Sequence, residues 1–319
     1  MFFAGFFFLI KGADLLVDGA SSIARRLGIS TLIIGLTVVA FGTSTPELIV
    51  NILASVSGNN ELAIGNILGS NISNVFLILG IAAIIFPLRV QEGTAWKEIP
   101  LNLLGILAVG ALVNDTLIDY APDSVLSRID GIILLCFFCI YIYYAFWASK
   151  VNGHLFSIGS AKGEKVPVFK TTHSVLMAAI GILGLTLGGK FIVDGGTAIA
   201  RTLGLSQALI GLTLVAIGTS LPELATTVVA AYKKNTDIAI GNIVGSNLFN
   251  LFWILGLTSI IHPIRFNRIL NTDLNVVILS TILLFGFLFI GKRHILERWQ
   301  GGLFVSIYVV YIIFITLRG

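Results

Sequence analysis

The chain has 319 residues, of which 56% are hydrophobic and 11% charged, with a net charge of +4 and a mean hydropathy of +0.98. A soluble domain carries roughly 25% charged residues, so this composition excludes an ordinary soluble fold and places the chain in a lipid bilayer. The positive excess therefore matters through its distribution among loops and not as a surface for nucleic acid.

Apolar runs of about 18–25 residues, long enough to cross the hydrocarbon core, predict ten helices in chain order. They fall at about 2–24, 31–57, 62–86, 99–114, 128–148, 173–200, 207–232, 238–261, 274–291 and 300–317. The first holds Lys11, Asp14 and Asp18 and leads straight into a repeated unit, which reads as a true span and not a cleaved leader. In the second, Gly42-Thr43-Ser44-Thr45-Pro46-Glu47 puts a glutamate in the middle of an apolar segment. The third contains Gly65-Asn66-Ile67-Leu68-Gly69-Ser70-Asn71-Ile72-Ser73-Asn74. The fifth carries Cys136 and Cys139, without the second pair or the histidines of a metal site, so both are expected reduced and facing lipid or core. The longest gap, 149–172, is rich in glycine, serine and lysine, which is loop chemistry.

Beyond that loop the chain repeats itself. Gly218-Thr219-Ser220-Leu221-Pro222-Glu223 lies 176 residues after the first such motif, and Gly241-Asn242-Ile243-Val244-Gly245-Ser246-Asn247-Leu248-Phe249-Asn250 follows at the same offset. Ile34–Leu48 against Ile210–Leu224 gives twelve identities in fifteen positions; Ala63–Gly80 against Ala239–Gly256 gives thirteen in eighteen. The expected organisation is thus an all-α integral membrane protein of two five-helix repeats, 1–148 and 173–319, joined by a linker over 149–172. Five is odd, so consecutive units insert with opposite orientation. With the N-terminus outside, thirteen lysines and arginines fall in inner loops and five outside, which predicts both termini outside and a cytoplasmic linker.

A carboxylate in hydrocarbon is costly and marks a functional site by default; two of them in duplicated units point to an ion site. Pro46 and Pro222 disfavour helix at the preceding residue, so each helix is expected to break just before its glutamate. Such a break frees carbonyls around Ala40 to Thr43 and Ala216 to Thr219, and Thr43, Ser44, Thr219 and Ser220 add hydroxyls. If the next helix of each half persists, Ser70 shares a face with Asn74, and Ser246 with Asn250. The bland alternatives are kinked helices whose small faces pack closely, with a protonated glutamate bonded across the bundle. An all-oxygen donor set of this kind suits hard cations such as Ca²⁺ and Na⁺, and two negative charges balance one Ca²⁺. Lys11 with Asp14, and Lys190 with Asp194, stand at helical spacing and are expected to neutralise each other within one helix. Lys233 and Lys234 read as orientation signals.

The paired Gly-Thr-Ser-x-Pro-Glu and Gly-Ser-Asn-x-x-Asn motifs resemble the alpha repeats of the cation/calcium exchanger superfamily, most closely its prokaryotic sodium/calcium exchanger branch. The resemblance covers nearly the whole chain. It implies ten helices in two inverted halves, and antiport of Ca²⁺ against Na⁺ by alternating access, with the first helix of each half sliding across the core. It implies Glu47 and Glu223 as ligands of both ions, completed by Asn74, Ser44, Ser70, Ser220 and Ser246, with Thr43, Thr219, Ala40 and Ala216 offering carbonyls. Asn250 stands where some members, including potassium-dependent ones, carry aspartate. The linker has one acidic residue, Glu164, and is too short for a large calcium-sensing domain. No glycine-lysine phosphate loop is present, which fits secondary transport without ATP or other cofactor. Neither a Ser/His nor a paired-aspartate constellation suggests an enzyme, and nothing suggests a protein partner. Two rivals stay open: exchange of Ca²⁺ for H⁺ or another cation on the same fold, and a cation channel.

Overall fold

A computed structural model describes residues 2–118, 120–159, 169–202 and 216–318. It is almost wholly helical: α1 Phe2–Leu27, α2 Thr31–Thr43, α3 Thr45–Val56, α4 Asn60–Ile85, α5 Thr94–Leu112, α6 Arg128–Ala148, α7 Thr171–Ile199, α8 Leu221–Tyr232, α9 Thr236–Ile261, α10 Arg268–Phe287 and α11 Arg298–Arg318. Among the described residues, seven of these helices are long and apolar enough to cross a membrane, and the broken pair α2–α3 makes an eighth. Residues 160–168 of the expected linker and 207–215 of the expected seventh span lie outside the described residues.

Two compact units emerge, each drawn from both halves of the sequence: 1–44 with 142–245, and 45–141 with 246–319.

The first unit is organised by α1 and α7, which run antiparallel with backbone in contact at glycines. A Cβ on Gly12 would stand 2.7 Å from the Leu185 amide and 2.8 Å from the Gly181 carbonyl; one on Gly188 would stand 2.7 Å from the Leu9 amide and 2.9 Å from the Gly5 carbonyl. Only glycine permits that approach. The contacts of Gly5 and Gly181 exchange under the 176-residue offset, so the helix pair is its own two-fold image. The cytoplasm-facing end expected of α1 carries the unit's main ion pairs. Lys233 Nζ lies 2.7 Å from Asp18 and 2.9 Å from Asp14, closer than Lys11, which is 3.8 Å from Asp14. Lys233 thus ties α8 to α1, a contact the sequence reading did not give it. Lys190 and Asp194 form no ion pair among the described residues.

The second unit is interlocked. Strand β1 (Leu88–Arg89) pairs antiparallel with β4 (Ile295–Leu296), and β2 (Val125–Leu126) with β3 (Ile264–Arg265), so each half closes on the other. Two flanking bonds extend the ladders: Val90 N–H donates to the His294 carbonyl at 2.8 Å, and Phe266 N–H to the Ser124 carbonyl at 2.9 Å. The glycine contacts cross in the same way, Gly80 against Gly301 and Gly131 against Gly256. Interleaved aromatic rings fill the space between: Phe76 and Phe287 on Phe304, and Phe137 on Phe252. Two boundaries differ from expectation. Helix α5 begins at Thr94, five residues before the predicted start, because polar Lys97 and Glu98 are accommodated in a widened π-turn over Thr94–Glu98. Helix α10 ends at Phe287, where the chain turns toward β4, and not at 291. Cys136 and Cys139 are both free and exposed on the helix surface.

Candidate cation site

Each conserved-sequence motif of the two halves breaks its helix at the same place and in the same way. Ser44 leaves the helix with φ −83° and ψ 5°, and Ser220 with φ −87° and ψ 4°. The next helix starts at once, with proline as its second residue and glutamate as its third. Proline is tolerated there because the first turn of a helix has no intrahelical use for its N–H. The same missing N–H deprives the Gly42 and Gly218 carbonyls of their helical donors. Glu47 and Glu223 consequently sit in the first turns of α3 and α8, where the helix dipole favours a negative charge. Both are buried, at 0% and 1% exposure.

In the first unit, Ala40, Thr43, Ser44, Ala216, Thr219, Ser220 and Glu223 belong together. The Ser44 hydroxyl donates to Glu223 Oε1 at 3.0 Å, which joins the broken turn of one half to the glutamate of the other. Thr43 donates to Asn242 Oδ1 at 3.1 Å, while Asn242 Nδ2 donates to Thr227 Oγ1 at 3.0 Å and to the Glu223 carbonyl at 3.4 Å. Asn242 thus links the Thr43 hydroxyl of one broken helix to the Glu223 carbonyl of the other, a role the sequence reading did not give it. The Ala40 carbonyl is not wholly released, since it accepts the Ser44 N–H at 3.0 Å and the Thr43 hydroxyl at 3.3 Å. Ala216 opens a single helical turn, Ala216–Thr219, of which its backbone is described.

In the second unit stand Glu47, Ser70, Asn74, Ser246 and Asn250. The Glu47 carbonyl accepts Asn51 Nδ2 at 2.9 Å, which pins the first turn of α3. The third and eighth predicted helices do not persist as plain α-helix. Each widens into a π-turn, at Ser73–Leu79 and Phe249–Ile254, equivalent stretches that begin one residue before Asn74 and Asn250. Such turns recur at functional sites because the inserted residue re-aims the side chains that follow. The amide groups of the two asparagines bond between the halves. Asn74 Nδ2 donates to Asn247 Oδ1 at 2.8 Å, and Asn250 Nδ2 to Asn71 Oδ1 at 2.9 Å and Ser70 Oγ at 3.3 Å. Asn71 and Asn247 belong to the repeated motif, and the sequence reading gave them no role. The signal that could have found them is their recurrence at the same offset.

A further carboxylate escaped the sequence reading. Glu98 is 4% exposed, on a π-turn between buried Thr94 and Asn102. A predicted start at 99 left it in a loop, and only the widened turn brings it into the helix. Among the described residues no group of three or more histidine, cysteine, aspartate or glutamate side chains gathers in one place, so any cation here is held by carboxylates diluted with amides, hydroxyls and carbonyls. That dilution suits hard, exchangeable ions and not a tightly held transition metal.

Comparison with known proteins agrees. The family described as "Sodium/calcium exchanger protein" matches residues 1–147 and 173–317. The inner membrane protein YrbG of Escherichia coli is 36% identical over 284 residues, covering 88% of this chain and 85% of its own. The sodium/calcium exchanger MaX1 of Methanosarcina acetivorans is 30% identical over 337 residues, covering 97% of this chain and 95% of its own. A solved structure of the sodium-calcium exchanger NCX_Mj, soaked with Na⁺ and Ca²⁺, superposes with a TM-score of 0.79 at 34% identity, covering 98% of this chain and 96% of that one. This chain belongs to the sodium/calcium exchanger family, a family of membrane antiporters and not of enzymes.

Proposed function

We propose that this protein exchanges Ca²⁺ for Na⁺ across a membrane by alternating access, with Glu47 and Glu223 as shared ligands of both ions. The observation that carries the reading is the pair of buried glutamates at equivalent helix breaks. Ser44, Ser220, Ser70, Ser246, Asn74 and Asn250 complete the oxygen set, and Thr43, Thr219, Ala40 and Ala216 contribute carbonyls. A set of this kind can take one Ca²⁺ or several Na⁺ ions in turn, because its flexible oxygens tolerate a change of ion. Each ion drives the switch only through its differential affinity for the two states.

The same reading takes α2 with α3 as one broken span and gives the turn Ala216–Thr219 with α8 the equivalent role. Ten spans then form two inverted five-helix repeats, with both termini outside and the linker in the cytoplasm. The antiparallel α1–α7 pair and the crossed strands β1–β4 and β2–β3 support an inverted two-fold relation. The membrane is the prokaryotic cytoplasmic one.

The test is radioactive Ca²⁺ uptake into Na⁺-loaded proteoliposomes diluted into Na⁺-free buffer. Uptake that requires internal Na⁺ is expected. Uptake driven instead by an internal acid load with no Na⁺ present would transfer the coupling to protons on the same glutamates. Flux that needs no counter-ion would replace the antiporter with a channel.

A further inference from the structure

We propose that Asn71 and Asn247 are positioning residues that turn the amide oxygens of Asn74 and Asn250 toward the transported cation. The proposal rests on the reading above that Asn74 and Asn250 face that ion.

An asparagine amide has two ends of nearly equal shape, an oxygen that accepts and an NH₂ that donates. Only the oxygen end can hold a cation, so a ligand asparagine needs something that fixes which end points where. In this structure the NH₂ ends of both residues are engaged. Asn74 Nδ2 donates a hydrogen bond to Asn247 Oδ1 at 2.8 Å, and Asn250 Nδ2 donates one to Asn71 Oδ1 at 2.9 Å. The two bonds exchange under the 176-residue offset of the repeat. Each half therefore orients the asparagine of the other.

The oxygen ends are a different matter. Asn74 Oδ1 and Asn250 Oδ1 are buried and accept no hydrogen bond among the described residues. An orphaned buried acceptor costs about 1–3 kcal/mol, so two at equivalent positions call for a donor or cation that the protein itself does not supply. A network built for stability alone would also satisfy Asn71, yet Asn71 Nδ2 is buried and unbonded among the described residues. The arrangement leaves one amine unsatisfied in order to present two oxygens. Both asparagines stand one residue into a π-turn, at Ser73–Leu79 and Phe249–Ile254, the kind of local widening that recurs at functional sites. The same orientation makes this part of the site neutral at every pH, since an amide does not titrate.

The experiment compares Ca²⁺ half-saturation and maximal rate in Na⁺-loaded proteoliposomes for Asn71→Leu, Asn247→Leu, Asn71→Asp and Asn247→Asp. Leucine keeps the volume but removes the acceptor, which frees Asn250 or Asn74 to rotate its NH₂ toward the ion. Half-saturation is expected to rise about 10–100-fold, the usual effect of losing a group that orients a metal ligand. Aspartate keeps an acceptor oxygen in place, and half-saturation is expected to return to within about threefold of native. A merely structural role would lower folded yield and maximal rate without separating aspartate from leucine. Native half-saturation in the leucine variants, or equal impairment in the aspartate variants, overturns the proposal. Should the leucine variants fail to reach the membrane, Asn71→Ala and Asn247→Ala carry the same comparison. Asn74→Ala serves as the control on the underlying reading. If it leaves half-saturation native, Asn74 does not face the ion; if it weakens binding while Asn247→Leu does not, the positioning role alone falls.

Discussion

The two compact units both bring helices together at glycines, but they lock them differently. In the first, Gly5, Gly12, Gly181 and Gly188 bring the backbones of α1 and α7 into contact, with Ile192 and the Phe8–Phe191 ring pair beside them. In the second, the helices are keyed together by Phe76, Phe304, Phe137 and Phe252, by two crossed strand pairs and by crossed asparagine bonds. The first seam is closed mainly by backbone contact, whereas a core of interleaved rings has discrete arrangements only. The contrast teaches that one chain can close its helices by close approach in one unit and by keyed side chains in the other.

The largest effect expected is at the glutamates. Glu47→Gln and Glu223→Gln each remove one of two negative charges from a buried oxygen set, and Ca²⁺ exchange should fall by about 100-fold or more, equivalent to ~3 kcal/mol of ion binding. The folded protein should remain in the membrane, checked by monodisperse elution and an unchanged melting curve. Exchange retained in both variants would remove these residues from the site.

Next come the two kinds of glycine contact. Gly12→Ala places a methyl within 2.7 Å of the Leu185 amide, and Gly301→Ala places one 2.6 Å from the Gly80 carbonyl. Each should cost about 1–3 kcal/mol of stability through overpacking. They should differ in turnover per folded molecule. The α1 variant should slow exchange severalfold, while the α11 variant should leave it within about twofold. Equal slowing in both would erase the distinction between the two seams.

A smaller effect is expected from Val90→Pro. It deletes the N–H that donates to the His294 carbonyl at 2.8 Å and should cost about 1 kcal/mol, read as a lower melting temperature with normal exchange. The smallest is Lys233→Met. Its pairs with Asp14 and Asp18 involve side chains about one-third exposed, so the loss should be under about 1 kcal/mol and should shrink further in high salt.

Much of this was legible in the sequence, for identifiable reasons. Hydropathy located the helices because each must satisfy its own backbone in lipid. The breaks at Ser44 and Ser220 followed from proline chemistry, which acts locally and does not depend on the rest of the fold. What stayed hidden depends on neighbours distant in the chain. Asn242 acts by touching Thr43, 199 residues away, and nothing in its own surroundings announces that. The π-turns at Ser73 and Phe249 depend on packing and not on propensity, so a periodicity argument ran plain helix through both. The pairing of Lys233 with Asp14 and Asp18 was hidden because both aspartates lie more than 200 positions earlier.

The crossed strands carry a consequence for how the chain is made. Leu88 has no partner until Leu296 has been synthesised, and Val125 none until Arg265 has. The first five helices therefore leave the ribosome with two open edges, and only the arrival of the second half closes both. A chain cut within 149–172 and expressed as two polypeptides should reassemble as a pair, each supplying the strand the other lacks, as two identical subunits would have done before the gene was duplicated.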